Sequence, residues 1–329
     1  MDRKIREIKT NKAWECYKSP VFTVIMPVYN RKKLIGRAMA SVEKQSFRDF
    51  EYIVIDDGST EEESIDDMME KFMEQVSFPV MFIKKENGGV HTARNLGTVH
   101  GRGMLWCALD SDDCLLEDAL EKMYCAWQEI PSGKRNQYYG IVTRCKDENG
   151  QIIGKEIPSW INGRSWKAAR EFKMSVQGDL HGACAMQVMK KYLWPEPEGV
   201  TFVTESILWC YLDTKYKQYL TNKVTLRYYL DNTWEHLTGG GQKTVQDVKN
   251  AYWNSGYLLY KTGLFFTSKK EFWRHVLRYN TMKYILKQFG ETSFIKKNKF
   301  TGKSFYAKNA LIQFFSYLYS KYYIRKRMG

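Results

Sequence analysis

Three carboxylates fall within four positions, Asp110-Ser111-Asp112-Asp113, directly after the apolar run Met104 to Leu109. At the end of a buried strand such charges repel one another unless something positive sits among them. Hard divalent cations such as Mg²⁺ or Mn²⁺ take oxygen ligands and carry phosphates with them, so the cluster reads as a metal site. The simpler alternative is that Asp112 or Asp113 caps a helix starting near Leu115, which Asp does well. A second acidic turn, Asp56-Asp57-Gly58-Ser59, closes another apolar run. Its residue types suit a strand-ending turn, and a carboxylate there can accept from a nucleobase N–H or a ribose hydroxyl. Asn87-Gly88-Gly89 followed by Arg94-Asn95 gives a glycine turn leading into a helix, with a cation one turn in. Backbone N–H groups and Arg suit phosphate oxygens. The chain carries neither a Walker-type lysine pattern nor GxGxxG, which weakens ATPase and dinucleotide readings.

The elements that must position these clusters alternate regularly. Val21 to Val28, Tyr52 to Ile55, Val80 to Ile83 and Met104 to Leu109 are apolar runs of strand length. Between and after them, Leu34 to Gln45, Glu61 to Gln75, Val90 to His100 and Leu115 to Gln128 show helical spacing or helix-start acids. Near-continuous apolar strands alternating with helices predict an α/β fold with a mostly parallel sheet covered on both faces. Ligands of such sheets bind beyond the carboxyl ends of the strands. Tyr29-Asn30, Asp56-Asp57 and Asp110 to Asp113 all lie at such ends and should share one crevice. Past Pro131 the pattern changes: Tyr138 to Cys145 and Gln151 to Glu156 read as a hairpin around Glu148-Asn149-Gly150.

The assembled motifs carry a resemblance. Pro27-Val28-Tyr29-Asn30, Ile55-Asp56-Asp57-Gly58-Ser59-Thr60, Glu86-Asn87-Gly88-Gly89 through Ala93-Arg94-Asn95-Leu96-Gly97, and Leu109-Asp110-Ser111-Asp112-Asp113 closely resemble family 2 glycosyltransferases of the GT-A fold. The resemblance implies an inverting transferase that uses a nucleotide-diphosphosugar, UDP-linked by preference, with Mn²⁺ or Mg²⁺. It implies that Pro27, Val28 and Tyr29 line the base and ribose and that Asp57, beside Asp56, faces the base. Asn87 and Arg94 would lie near the nucleotide. Asp110 and Asp112, around Ser111, would form the DxD pair, with Asp112 ligating the metal and Asp113 as a further ligand.

Departure of a nucleoside diphosphate leaves charge that a metal can stabilise, and the acceptor hydroxyl needs a carboxylate base. The family's base lies in a Glu-Asp pair opening a helix. Here the matching stretch, Val203-Thr204-Glu205-Ser206, has Ser206 where the aspartate is expected. Glu205 is the first candidate base; Asp179, in Gly178-Asp179-Leu180-His181-Gly182, and Asp213 rank next. His236 is a candidate metal ligand, because imidazole can join a carboxylate-bound ion. His181 is a candidate contact to acceptor or diphosphate.

The net charge of +14 is concentrated at one end: from Lys261 to Arg327 sixteen Lys/Arg face two acids, Glu271 and Glu291. Asn309 to Tyr323 is apolar and aromatic, and Lys321 to Arg327 basic, which suits an interfacial helix on an anionic membrane. Nucleic acid is the weaker reading, since no recognisable module accompanies the charge. Seven cysteines without a CxxC pair argue for a reducing compartment. With no signal peptide and no spanning run, the expected location is cytoplasmic, peripheral at the inner face of the cell membrane. The expected organisation is a lead-in over 1–20, a GT-A domain over 21–238 and, past Gly239-Gly240-Gly241, a basic, aromatic-rich helical region over 242–329. The expected acceptor is a glycan or lipid-linked glycan of bacterial surface polysaccharide synthesis. A sugar nucleotidyltransferase, and a non-catalytic membrane- or nucleic-acid-binding protein with a degenerate transferase domain, are the alternatives.

Overall fold

The computed structural model describes residues 4–163, 172–173, 175–176, 179–229, 243–262, 269–300 and 310–328. The chain forms two compact units, Met1–Leu193 with Lys215–Leu230, and Trp194–Thr214 with Asp231–Gly329.

In the first unit the parallel strands β2 (Phe22–Val28) and β3 (Phe50–Asp56) are buried along their whole length. That burial on both faces explains their unbroken apolar sequence. β4 (Val80–Lys85) and β5 (Leu105–Ala108) extend the parallel core to either side. Among the described residues the sheet has the order β1-β4-β3-β2-β5-β8-β7-β9-β6. Here β1 is Ile5–Thr10, β6 Cys114–Leu115, β7 Tyr138–Lys146, β8 Leu180–Ala185 and β9 Lys217–Arg227. Register pairs Val28 with Asp56 and Asp56 with Lys84, so β2, β3 and β4 end along one edge.

The helices of this unit are α1 (Lys12–Cys16), α2 (Ile35–Glu43), α3 (Asp66–Gln75), α4 (Val90–His100), α5 (Ala119–Glu129) and α6 (Met186–Lys191). α4 lies close against the sheet because Gly97 meets Ile25 and Ile55; a Cβ there would sit 2.6 Å from Ile25 Cγ2. Two expectations change. Residues Ile5–Thr10, within the expected lead-in, form an edge strand antiparallel to β4. Beyond β7, the turn at Gly150 (φ 85°) does form. The returning segment, however, makes only an isolated bridge, Lys146 to Ile152, while β7 pairs with β8 and β9 instead.

The second unit contains α7 (Ser206–Leu212), α8 (Val245–Lys261), α9 (Lys269–Gln288), α10 (Thr292–Lys297) and α11 (Ala310–Arg327). Thr244 starts α8 with a capping box closed by Asp247. The core is aromatic: Tyr252 stacks on Tyr279, Tyr260 stacks on Phe300, and Phe300 fits where Gly256 has no side chain. The glycine linker Gly239-Gly240-Gly241 lies outside the described residues. No helix among the described residues is long and apolar enough to cross a membrane.

Candidate active site

The end of β3 and the start of α4 form one locked assembly. The Asp57 N–H donates to Val28 O at 2.8 Å, tying the turn to β2. Asp56 accepts the Ser59 N–H at 2.9 Å, so its carboxylate shapes the turn. Asn30, the one described non-glycine residue with positive φ (50°), donates its N–H to Ser59 Oγ and accepts the Thr60 N–H. The loops after β2 and β3 are thereby joined. Gly58 (φ 80°) abuts Asn87 so closely that a Cβ would lie 2.6 Å from the Asn87 nitrogen.

Asp57 is buried and holds the glycine turn. Its carboxylate accepts from Lys85 Nζ and from the amides of Gly88 (3.0 Å) and Gly89 (2.8 Å). Lys85 also donates to Glu86 O (2.6 Å) and Thr92 Oγ1 (3.0 Å), which uses the three donors of its ammonium. Burial raises the Asp57 carboxyl above its usual range, against the pull of Lys85 and the two amides. In the first turn of α4, buried His91 is held down to about 4 by burial and then by Lys85, Arg94 and Lys4. Lys85 and Arg94 thus stand at a helix start, where an anion is favoured.

The end of β5 carries the opposite sign. Leu109 N–H donates to Ile25 O, and Asp113 N–H closes a turn onto Asp110 O at 3.1 Å. Exposed Asp110 pairs with buried Arg94 at 2.7 Å. The carbonyl of Asp112 accepts from Arg37 Nε at 2.9 Å, and the Arg37 guanidinium lies over the Tyr229 ring. Asp113 is buried, accepting the Tyr229 N–H at 3.3 Å. Burial, and then Asp110 and Asp112, push its carboxyl up to about 8, with Asp179 adding to the crowding. The capping alternative fails: α5 begins at Ala119 with Asp118 at its N-cap, so neither Asp112 nor Asp113 caps it.

Among the described residues no three His, Cys, Asp or Glu side chains form a group able to hold a metal ion. The donor set still suits one. Mg²⁺ and Mn²⁺ are commonly held by one or two carboxylates together with substrate phosphate oxygens, and Asp110 and Asp112 stand close enough to Asp113 to raise its carboxyl beyond what burial does.

Beneath this turn His181 braces β5. Its Nε2 lies 2.9 Å from Ala108 O and its Nδ1 3.0 Å from Thr225 Oγ1, which in turn lies 2.6 Å from Thr143 Oγ1. Donation from Nε2 to the carbonyl leaves Nδ1 to accept from the Thr225 hydroxyl. His181 thus contacts the strand bearing the carboxylates.

The other sequence candidates divide between the units. Buried Pro27 and Val28 end β2, exposed Tyr29 follows them, and exposed Asn87 precedes the glycine turn. Buried Ser111 lies inside the acidic turn, and exposed Asp179 is close enough to act on Asp113. Glu205 belongs to the second unit, where it is the exposed N-cap residue of α7 and accepts from Trp209 Nε1 at 3.3 Å. The segment before it is fastened to α8: Asn250 Oδ1 accepts the Thr201 N–H, and Asn254 Oδ1 accepts that of Thr204. Asp213, at the other end of α7, is buried. His236 lies outside the described residues. Lys85, Arg37 and Tyr229 were not singled out by sequence reasoning. The only hint for Lys85 was a lysine pair ending an apolar run, in which Lys84 turns to Asp66 and Lys85 to Asp57.

A mostly parallel sheet flanked by helices, with acidic turns at the carboxyl ends of its strands, is the architecture of a GT-A transferase. The family model "Glycosyl transferase family 2" matches residues 23–193, more than half of the chain, and the chain belongs to that family. An uncharacterised glycosyltransferase of Haemophilus influenzae is 26% identical over 259 residues, 73% of this chain and 83% of the relative. The poly(ribitol-phosphate) beta-N-acetylglucosaminyltransferase TarP of Staphylococcus aureus is 33% identical over 137 residues, 41% of this chain and 40% of that protein. Among solved structures, S. aureus TarS 1-349 in complex with UDP-GlcNAc superposes with a TM-score of 0.52 at 17% identity, covering 91% of this chain and 79% of that one. At that identity the likeness bears on the fold alone. Family membership makes the chain a glycosyltransferase and sets aside the nucleotidyltransferase and non-catalytic alternatives.

Proposed function

We propose that the chain is an inverting, metal-dependent transferase that moves a hexosyl or N-acetylhexosaminyl group from a UDP-sugar to a glycan hydroxyl. The observation that carries this reading is the pairing of Lys85 and Arg94 at the start of α4 with a carboxylate crowd at the end of β5. Asp57 holds the glycine turn that faces the base, Pro27, Val28 and Tyr29 line base and ribose, and Arg94 orients Asp110 toward the ribose. Asn87 and the α4 amides face the diphosphate. A divalent ion held by Asp112, with Asp110 or Asp113 as the second carboxylate and His236 as a further candidate, would stabilise charge on the leaving diphosphate. Glu205 takes the proton of the acceptor hydroxyl, with Asp179 ranked next. The name of TarP, a poly(ribitol-phosphate) beta-N-acetylglucosaminyltransferase of Staphylococcus aureus, supports an N-acetylhexosaminyl group and a bacterial glycan acceptor. The basic C-terminal region supports a lipid-linked acceptor met at an anionic membrane surface.

A thermal-shift screen of nucleotide sugars with Mn²⁺, followed by transfer assays, tests this reading, since a bound donor raises apparent stability by mass action. Glu205→Gln should abolish transfer and leave UDP binding intact. The same phenotype from Asp179→Asn instead would move the base to Asp179. A chain stabilised by no nucleotide sugar would overturn the proposal.

A further inference from the structure

The last helix, α11, has its faces reversed. Ser316 and Ser320, one turn apart, are fully buried, on the side where Gln313 bonds Asn280 (2.9 Å) and Tyr284 (2.8 Å) of α9. Phe314, Phe315, Leu318, Tyr319 and Tyr322 project the other way, each 46–56% exposed. Their spacing, 314-318-322 beside 315-319, places them on one continuous helical face. A helix on a water-soluble surface buries its apolar stripe and exposes its polar one; α11 does the opposite. Its packed side centres on Gln313, Ser316 and Ser320, with Tyr317 against Tyr284 and part-buried Tyr323 and Ile324 beside them, and an aromatic strip is left outward. A contiguous apolar patch of this kind marks an interaction surface.

The charge around the strip selects its occupant. Lys321, Arg325 and Lys326 are exposed on the same helix. Lys321 Nζ lies 4.9 Å from the Tyr317 ring centroid and Lys326 Nζ 5.5 Å from that of Tyr322, so the cations flank the aromatic strip. With sixteen cations against two acids from Lys261 to Arg327, a second copy of this chain would bring like charges together. An anionic lipid surface offers both complements, acyl chains for the rings and phosphates for the cations. A spanning role is closed to α11 by its composition. We infer that α11 lies flat on an anionic lipid surface, with the strip of Phe314, Leu318 and Tyr322 entering the interface and the Lys/Arg set at the headgroup phosphates. The inference deepens the membrane reading above and rests on it.

Co-sedimentation of the full chain with vesicles tests it, comparing phosphatidylcholine alone with phosphatidylcholine plus phosphatidylglycerol. Binding should require the anionic lipid and fall as salt rises. A triple substitution, Phe314→Ser, Leu318→Ser and Tyr322→Ser, should weaken binding by about tenfold or more. The melting temperature and the shift produced by donor should not change. Replacing Lys321, Arg325 and Lys326 by Gln should weaken it by about tenfold or more and flatten the salt dependence. If both triple variants bind as the parent does, the face is wrong although the membrane reading stands. A parent chain that binds no vesicle but is still stabilised by nucleotide sugar removes the membrane reading and leaves the transferase. Loss of a dimer in the serine variant with lipid binding unchanged would assign the face to a second copy. Displacement from vesicles by RNA would assign it to nucleic acid. Either result overturns the inference.

Discussion

The turns after β3 and β5 look alike in sequence, Ile55-Asp56-Asp57-Gly58-Ser59 and Leu109-Asp110-Ser111-Asp112-Asp113, and they are built in opposite ways. After β3 the carboxylates bond inward: Asp56 to the Ser59 amide, and Asp57 to Lys85, Gly88 and Gly89. There His91 is held down to about 4, by burial first and by nearby cations next. After β5, Arg94 pairs with Asp110, yet burial and the neighbouring acids still push Asp113 up to about 8. One turn is a finished socket that the fold neutralises for itself. The other crowds its acids so closely that the buried Asp113 carboxyl keeps its proton near neutral pH, a proton that a bound cation would displace. A ligand suited to both would present an anionic group to the first and bring a cation to the second.

The largest effect should come from breaking the socket. Lys85→Met leaves the Asp57 carboxylate buried without its cation, and removing one partner of a buried pair costs about 3–5 kcal/mol. Chemical denaturation would read this as a lower midpoint with unchanged slope, and adding Asp57→Asn to the Lys85→Met chain should recover part of the loss. A change below about 1 kcal/mol would mean that the pair is no more than an exposed ion pair in its energetics. The next effect lies on the other turn. Under the proposed reading, Asp112→Ala should lower sugar transfer on the order of 10²-fold or more and leave the melting temperature of the ligand-free chain near the parent's. Unchanged transfer would remove Asp112 from the metal site.

The sequence made the parallel core legible because β2 and β3 are buried on both faces, and unbroken runs such as Val24-Ile25-Met26 admit few other readings. β1 was not legible: four of its six residues are exposed, as at Arg6, Glu7 and Thr10, so its pattern is that of a polar tail. The pairing of β7 with β8 and β9 was hidden for another reason. It joins segments far apart in the chain, whereas Gly150 advertises a local hairpin that goes no further than one bridge. For the site, the acids themselves stood out, but their electrostatic difference did not. It depends on Lys85 reaching Asp57 across parallel strands and on where the helix after β5 begins. Leu115 belongs to a short strand paired with β9, and that pairing delays α5 until Ala119.

The smallest effect bears most directly on the contrast between the turns. Asp113 is as buried as Asp57, but it accepts one backbone N–H, from Tyr229, and faces other acids in place of a lysine. Asp113→Asn keeps an oxygen for Tyr229 and stands in for the protonated carboxyl that a value of about 8 gives near neutral pH. In chelator the variant should therefore be as stable as the parent or more so, by about 1 kcal/mol at most. Asp57→Asn alone should behave oppositely, because it strands the Lys85 ammonium. When Mn²⁺ and UDP are added, the Asp113→Asn chain should gain less in melting temperature than the parent, since the amide has no acidic proton for the cation to displace. If Asp113→Asn instead destabilises the chain in chelator as much as Asp57→Asn does, both turns are sockets. The acid cluster after β5 would then no longer argue for a metal.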